Sequence, residues 1–279
     1  MFKQIASRAP LLAGVSVLAL SLPSAGLAQS TLPAVNNING KLSFGYLGTN
    51  GTNAPKGGYV NAALSLPVTH SFGAQIDISA DNANGGNGAV TGSRGIGLHL
   101  FYRDPDKYLL GVYAHRVVVN GPLGKSYNDR IGLEGEVYSG NWTFAGFAGA
   151  DRVTAPGTKQ TFAALSLDVD YYFTENTMMT GSVERAFDKT GVTLGVQHLY
   201  AGAGFPLAVN ASVGAFEGDV TASIGLTMFF GNDGKTLKQI NRTNDPRIRT
   251  GASAPRNGYF QALQAGTMNR PFRPGGKET

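Results

Sequence analysis

The chain has 279 residues, with 39 glycines, no cysteine and a formal net charge of +5. The absence of cysteine excludes a disulfide-stapled domain, so stability must come from a core or from a membrane. Residues 29–230 contain 12 Lys and Arg against 15 Asp and Glu, which gives −3, whereas residues 231–279 contain 9 against 3, which gives +6. The basic character therefore belongs to the C-terminal part, and a nucleic-acid-binding body is not indicated.

The N-terminal 28 residues have the layout of a secretory signal peptide. Lys3 and Arg8 precede a mostly apolar run over residues 11–22, and small residues lead to a predicted cleavage after Ala28. The run is shorter than the roughly 20 residues that span a bilayer as a helix. We expect a cleaved signal over residues 1–28, with an uncleaved amphipathic N-terminus as the alternative.

From residue 41 onward, polar and apolar side chains alternate along segments of about ten residues. This period-two pattern is typical of strands, and helical spacing is poor throughout. The twelve predicted strands cover 41–48, 59–67, 72–80, 95–103, 108–118, 129–138, 142–151, 161–173, 178–186, 192–200, 206–216 and 220–230. Ten strands remain an alternative if the weak segments 59–67 and 206–216 are not strands.

The connections between these segments alternate in length. After strands 1, 3, 5 and 7 they are long and polar, at 49–58, 81–94, 119–128 and 152–160. After the even strands they are short, at 68–71, 104–107, 139–141, 174–177 and 201–205. Long outer loops alternating with short periplasmic turns are typical of outer-membrane barrels. The last two outer links, 187–191 and 217–219, are short and depart from the pattern.

Aromatic residues concentrate at one end of the predicted strands, which is the pattern of an interfacial girdle. They are Phe72, Tyr102, Tyr108, Tyr138, Trp142, Tyr171, Phe173, Tyr200, Phe205 and Phe230. We therefore predict an all-β protein, a transmembrane antiparallel up-and-down β-barrel of twelve strands with a mostly irregular C-terminal extension. The predicted domains are a periplasmic lead over 29–40, the barrel over 41–230 and the tail over 231–279.

The last predicted strand carries a family resemblance. In "SIGLTMFF", Ser223, Gly225, Met228 and Phe230 follow the spacing polar-x-Gly-x-x-hydrophobic-x-aromatic. This resembles the β-signal that the assembly machinery reads on the final strand of Gram-negative outer-membrane barrels, in particular small porin-like barrels. The resemblance implies export and membrane insertion, and the even strand count predicts that both termini are in the periplasm. One departure is that 49 residues follow Phe230, where the family usually ends.

The polar faces of the strands point into the lumen of the predicted barrel. The lumen-lining residues are then Lys41, Gln75, Asp77, His99, Arg103, Tyr113, His115, Arg130, Glu134, Glu136, Asp168, Asp170, Glu184 and Asn210. Basic groups facing lipid at mid-depth would cost about 2–4 kcal/mol each, so these residues must face water or one another. We expect the carboxylates of strands 6, 8 and 9 to lie across the lumen from the basic residues of strands 1, 4 and 5. A salt-bridge network that closes the lumen is the alternative.

A catalytic site is not indicated. Pairing across the 104–107 turn predicts Gly111 opposite His99. The same pairing predicts Gly95 opposite His115, so neither histidine has a serine across from it, as a nucleophilic site would need. The 4 histidines are not expected to converge as metal ligands, and no cofactor is predicted.

The tail is rich in Gly, Pro and Ala beyond residue 250 and cannot bury enough apolar area to fold alone. A mostly disordered periplasmic tail, with a short helix before Pro246, is one expectation. The other is a basic arm that lies in the barrel mouth against the acidic lining or binds an anionic periplasmic partner such as peptidoglycan. Its predicted contact residues are Arg247, Arg249, Arg256, Tyr259, Phe260, Arg270, Phe272 and Arg273.

The predicted function is that of an outer-membrane channel for passive diffusion of small hydrophilic solutes or ions. The alternative is a structural or interaction protein whose tail plugs the barrel or binds an envelope partner, and a lipid-modifying barrel enzyme is a minor alternative. Expected partners are outer-membrane lipid, lipopolysaccharide and the barrel assembly machinery during insertion. No nucleic acid is expected, and the oligomeric state is left open.

Overall fold

The computed structural model describes residues 31–50, 54–84, 92–121, 124–200, 206–232, 234–244, 246–252, 254, 256 and 260–261. The strands in these ranges are β1 Asn39–Thr49, β2 Lys56–Pro67, β3 Phe72–Asp81, β4 Ser93–Asp104, β5 Tyr108–Gly121, β6 Gly124–Ser139, β7 Trp142–Ala155, β8 Thr158–Thr174, β9 Thr177–Ala186, β10 Lys189–Tyr200, β11 Leu207–Phe216 and β12 Asp219–Phe230. A helix, α1, covers Leu237–Thr243. The twelve-strand prediction is confirmed, and the ten-strand alternative is wrong. The predicted signal peptide lies outside the described residues.

The strands form one closed antiparallel barrel in which every strand pairs with its neighbours in sequence. β1 closes on β12 through ten residue pairs, from Gly40 opposite Phe230 to Thr49 opposite Thr221. Closure satisfies the backbone hydrogen bonds of both edge strands, which a membrane-spanning sheet requires.

The barrel has two different ends. The terminal end carries the start of β1, the end of β12 and the links after the even strands; the loop end carries the links after the odd strands. Four links were predicted to be long. The prediction is wrong for 119–128 and 152–160, because the strands continue through most of both ranges. β5 and β6 still pair at Gly121 and Gly124, and β7 and β8 at Ala155 and Thr158. Hairpin pairing therefore extends the wall on this side of the barrel.

The outer surface is apolar. Ile131, Leu133 and Ile224 are 67%, 65% and 61% exposed, and further large apolar side chains on nearly every strand are also exposed. An apolar belt around a closed barrel with a polar interior is the arrangement that suits lipid outside and water inside. Among the described residues, no helix is both long and apolar enough to cross a bilayer.

Aromatic rings cluster on the outer surface at the terminal end. Trp142 and Tyr171 lie 4.5 Å apart between ring centroids, and Phe72 and Tyr102 lie 5.4 Å apart. These contacts form the predicted girdle, with two qualifications. Tyr138 is buried and donates a 3.0 Å hydrogen bond to Glu136, so its ring belongs to the interior. The predicted member Phe205 lies outside the described residues.

Glycines at the β1–β12 seam admit a tyrosine ring. Gly45 and Gly225 face each other across the seam, and the ring of Tyr59 lies over both. A Cβ on Gly225 would meet the Tyr59 hydroxyl and would lie 2.6 Å from the carbonyl oxygen of Phe44. The glycine of the predicted β-signal therefore also has a packing role at the closure.

Described residues just before β1 and just after β12 pack onto the terminal end. Ala34 and Val35 of the lead are fully buried, and Val35 packs against Phe101 and Leu109. On the other side of the opening, Leu237 and Ile240 of α1 are fully buried in a cluster with residues of β8, β10, β11 and β12. The terminal end is therefore covered from two sides.

Candidate functional site

The candidate site is the barrel lumen, where the fourteen predicted lining residues all lie. Ten of them are buried on inward-facing positions: Gln75, Asp77, His99, Arg103, Tyr113, His115, Arg130, Glu134, Glu136 and Asp170. The other four line an interior cavity: Lys41, Asp168, Glu184 and Asn210. Period-two alternation was sufficient to find them, because inward and outward positions alternate strictly along each strand.

His99 lies between two carboxylates. Its Nδ1 is 2.7 Å from Glu134 Oε1, and its Nε2 is 3.0 Å from Asp77 Oδ2. Gln75 donates to the second oxygen of Asp77 at 2.7 Å. The expectation that basic and acidic residues face each other across the lumen is wrong for His99, because β4 and β6 are separated only by β5.

The strand register around the histidines also differs from the prediction. His99 pairs with Tyr113, and His115 pairs with Gly97. The reason is that the turn is centred on Asp106, because β4 ends at Asp104 and β5 begins at Tyr108. The ring nitrogens of His115 lie 2.9 Å from the Tyr113 hydroxyl and 3.2 Å from the Asn128 side-chain oxygen.

A second charged group lies nearer the loop end. Arg130 donates two hydrogen bonds to Asp151, at 2.8 and 2.7 Å, and one to Glu184 at 2.7 Å. Its guanidinium also lies over the Phe147 ring, 5.2 Å from the centroid. Asp151 and Phe147 were not predicted as site residues. Asp151 is the last residue of its predicted strand, and Phe147 is an apolar residue on an inward position, which a search for polar residues misses.

The tail starts with α1, which is attached to the turns of the terminal end. Thr236 and Gln239 form a capping box at its N-terminus. Lys238 donates to Glu175 and to Asn141, each at 3.0 Å. Arg242 donates to the Trp142 carbonyl at 2.7 Å. These contacts fix the point from which the chain enters the barrel.

Beyond α1, the described residues 246–252, 254, 256 and 260–261 lie in the lumen, and we call them the lumenal segment. The Pro246 carbonyl accepts a 3.2 Å hydrogen bond from Gln75, and the Ala252 backbone N–H donates to Asn61 at 3.0 Å. Gln261 donates to Asp81, at the loop end of β3, at 3.1 Å. The described residues of the segment therefore extend from the terminal end to the loop end. For these residues, the structure fits the expected basic arm against the acidic lining and not the expected tail below the barrel.

Three arginines of the lumenal segment form ion pairs with the acidic wall. Arg247 contacts Asp170, and its Nε is 3.9 Å from Glu136. Arg249 contacts Glu134 at 3.2 Å and Asp168 at 3.7 Å. Arg256 contacts Glu184 at 3.2 Å. Arg247 and Arg249 thus contact two carboxylates each and Arg256 contacts one, along β6, β8 and β9.

At the loop end, the segment is held by an apolar cluster. Phe260 is 1% exposed and stacks on Phe187 with 5.7 Å between ring centroids. Val119, Val153 and Phe216 complete the contact surface. Phe187 has a φ of 55°, a backbone conformation that is uncommon for an aromatic residue and persists where packing compensates for it.

Space remains beside the lumenal segment. One cavity of about 380 Å³ lies along β9–β12, β1 and β2, and an adjoining one of about 210 Å³ extends towards the terminal end. Both are lined by Lys41, Gln197, Asn241 and Arg247. On the side formed by β9–β12, β1 and β2, this larger cavity is lined by many neutral hydrogen-bonding side chains: Ser43, Asn61, Thr180, Ser182, Thr193, Asn210, Ser212, Ser223 and Thr227. The segment therefore fills the acidic side of the lumen and leaves the neutral side open.

The predicted tail contacts divide into two groups. The structure places Arg247, Arg249, Arg256 and Phe260 inside the barrel. Tyr259, Arg270, Phe272 and Arg273 lie outside the described residues. Of the predicted β-signal, Ser223 lines the lumen, and Phe230 is exposed on the outer surface at the end of β12.

Protein-family models and curated proteins give no match to this chain. Solved structures of similar shape include a KdgM porin in complex with disordered oligogalacturonate, with 12% identity and a TM-score of 0.47 over 67% of this chain and 98% of that chain. The translocator domain of the autotransporter NalP from Neisseria meningitidis has 11% identity and a TM-score of 0.49, covering 70% and 88%. The outer membrane phospholipase A from Escherichia coli has 11% identity and a TM-score of 0.44, covering 70% and 90%.

These neighbours differ in activity and are only distantly similar in shape, so they assign no function to this chain. Its architecture follows from its own structure: closed antiparallel strands, an apolar outer belt and a polar lumen. The chain is a twelve-stranded transmembrane β-barrel of the outer-membrane type.

Proposed function

We propose that the chain is a porin-like channel of the bacterial outer membrane for small hydrophilic solutes or ions, narrowed by its own lumenal segment. The observation that carries this proposal is the pair of adjoining polar cavities, of about 380 and 210 Å³, beside the segment. Hydroxyl and amide groups along their wall replace the hydrogen bonds that a hydrated solute loses in a narrow passage. The terminal end then faces the periplasm.

Planar-bilayer recording tests the proposal. The full chain is compared with a chain lacking residues 245–279, which retains α1 and every strand pair of the wall. We expect small conductance steps for the full chain and steps several times larger for the truncated chain, because the segment crosses the lumen. Absence of conductance steps in both proteins at all voltages would contradict a channel.

A second candidate function is favoured by the same segment. Its three ion-paired arginines and the buried Phe260 attach it along the whole lumen. In this proposal the barrel is a closed structural or interaction protein, and the rest of the tail binds an envelope partner. A silent full chain whose truncated form conducts would favour it over the open channel.

The remaining proposals concern partners and catalysis. Outer-membrane lipid and lipopolysaccharide are proposed to contact the apolar belt, and the assembly machinery is proposed to read β12 during insertion. We propose no enzymatic role. A phospholipid-hydrolysis assay tests this point, and activity that is lost in His115→Ala would overturn it.

A further inference from the structure

The side chain of Arg249 occupies a well-defined pocket in the barrel wall. Its Nε donates to Glu134 at 3.2 Å, and its Nη1 donates to Ser166 at 3.0 Å. Its Nη2 donates to the Gly146 carbonyl at 3.2 Å. Arg249 is 8% exposed and Glu134 is 3% exposed. Each of the three guanidinium nitrogens therefore has its own acceptor on the wall.

An aromatic ring forms one side of this pocket. The Arg249 guanidinium lies over Phe147, 5.5 Å from the ring centroid. Phe147 is held by the wall itself, because Gly132 and Gly149 leave room for its ring: a Cβ on either would come within 2.6 or 2.8 Å of its Cζ. The ring is therefore in place whether or not an arginine lies above it.

The acceptors are also positioned by the wall. Glu134 is bound by His99, which is in turn bound by Asp77. Ser166 is on β8, and the Gly146 carbonyl belongs to the backbone of β7. None of these supports comes from the lumenal segment, so the pocket is preorganised for its occupant.

The arrangement favours a guanidinium over an ammonium group. A planar guanidinium presents N–H donors in three fixed directions and stacks on aromatic rings. An ammonium is a compact, strongly hydrated charge and cannot reach three acceptors spread around a planar group while it lies on a ring. The chemistry of the pocket therefore distinguishes two cations of equal charge.

We propose that this pocket is a guanidinium-binding site of the lumen, and that Arg249 is a built-in occupant which a solute carrying a guanidinium group can replace. The proposal extends the proposed channel function by naming a class of solute, such as arginine or an arginine-containing peptide, that the lumen recognises. Displacement of Arg249 would loosen the central part of the lumenal segment, so such a solute would bind and open the passage together.

Chemical rescue tests the site. In Arg249→Ala, in the otherwise intact full chain, the pocket is vacated, and binding of methylguanidinium and methylammonium is measured by isothermal titration calorimetry in detergent. We expect methylguanidinium to bind at least about fivefold more tightly than methylammonium. In Arg249→Ala with Glu134→Gln, we expect binding to weaken by about tenfold or more, because the charged acceptor is lost.

Two matched proteins control the measurement. Arg116→Ala removes an exposed arginine that is paired with Asp129 on the outer surface, and we expect no methylguanidinium binding there. Arg249→Ala with Ser166→Ala keeps Glu134 and its His99 contact, and we expect a smaller loss, which separates weaker binding from misfolding. Heat-dependent gel mobility reports whether each barrel is closed.

Equal affinities for the two cations, or unchanged binding in both the Glu134→Gln and Ser166→Ala backgrounds, would overturn the proposal. Calorimetry does not depend on ion flow, so the guanidinium-site hypothesis can be contradicted independently of the channel hypothesis. Selective binding by a barrel that never conducts would leave the guanidinium site and remove the channel function. Conductance without selective binding would do the reverse.

Discussion

At the scale of single residues, the interior of this barrel is organised by paired charges. Within the wall, Arg130 forms ion pairs with Asp151 and Glu184. Glu136 and Asp170 have Arg247 as their ion-pair partner among the described residues. A buried charge that loses its partner is strongly destabilising. The wall and the lumenal segment therefore depend on each other electrostatically.

Arg247→Ala tests this dependence near the terminal end. Removing one partner of a buried ion pair costs about 3 kcal/mol, which corresponds to about a hundredfold decrease in the docked-to-undocked ratio of the segment. We expect more frequent opening in single-channel recordings. The control is Arg185→Ala, whose partner Asp188 is exposed, and it should leave opening unchanged. Equal opening in both variants would contradict the prediction.

Phe260→Ala tests the apolar attachment at the loop end. Loss of a buried phenylalanine side chain costs about 3 kcal/mol, so the loop end of the segment should detach. Limited proteolysis of the folded barrel should then cleave the segment faster. Because Phe187 stacks on Phe260, combining Phe187→Ala with it should add little further effect. Phe173→Ala, on the outer surface, is the control, and equal cleavage in the control would argue against this attachment.

At the scale of elements, the closing pair β1–β12 contains a close backbone approach between two facing glycines. Gly225 lies opposite Gly45 with Tyr59 above both. Gly225 therefore has a packing role at the seam, where no side chain fits, in addition to the assembly role that the predicted β-signal gives it.

Gly225→Ala should lower the yield of closed barrel. Its Cβ would lie 2.6 Å from the Phe44 carbonyl oxygen and would also meet the Tyr59 hydroxyl, so backbone and ring must both shift. Steric strain of this kind costs about 1–3 kcal/mol. Gly195→Ala is the matched control, because its nearest neighbours would be 3.5 and 3.6 Å away. Refolding yield, measured by heat-dependent gel mobility, should fall for the first variant only.

At the scale of the whole molecule, two parts of the chain have opposite net charge, and described residues of both lie in one lumen. Residues 29–230 carry −3, from 12 basic against 15 acidic residues, and residues 231–279 carry +6, from 9 against 3. The lumenal segment places its arginines where the wall is acidic. In the channel that we propose, a solute meets the neutral side of the lumen while the segment is docked.

Ion selectivity should report this division. Without residues 245–279, Glu134, Glu136, Asp168 and Asp170 lose their arginine partners, and we expect the truncated barrel to prefer cations several-fold over anions. The full chain should be much less selective. Reversal potentials in a salt gradient measure both. Glu217→Gln, at the exposed β11–β12 turn, should not alter the selectivity of the truncated barrel, whereas anion preference of that barrel would contradict the prediction.

The orientation of the barrel in the membrane can be tested by labelling, because the chain has no native cysteine. Lys159→Cys lies at the loop end and Lys107→Cys at the terminal end, and both lysines are exposed. We expect a membrane-impermeant maleimide to label the first on intact cells and the second only after permeabilisation. The reverse pattern would place the terminal end outside.

The sequence by itself determined the number of strands, which face of each strand is polar, and which residues line the lumen of this protein. Side chains along a strand alternate between its two faces, so the local pattern alone predicts whether a residue points into the lumen or outward. Only the tertiary structure decided the path of the lumenal segment, the guanidinium pocket around Arg249 and the register that places His99 beside Glu134. These features join residues as far apart as Glu134 and Arg249, and such contacts depend on barrel closure and strand stagger, which no local periodicity encodes.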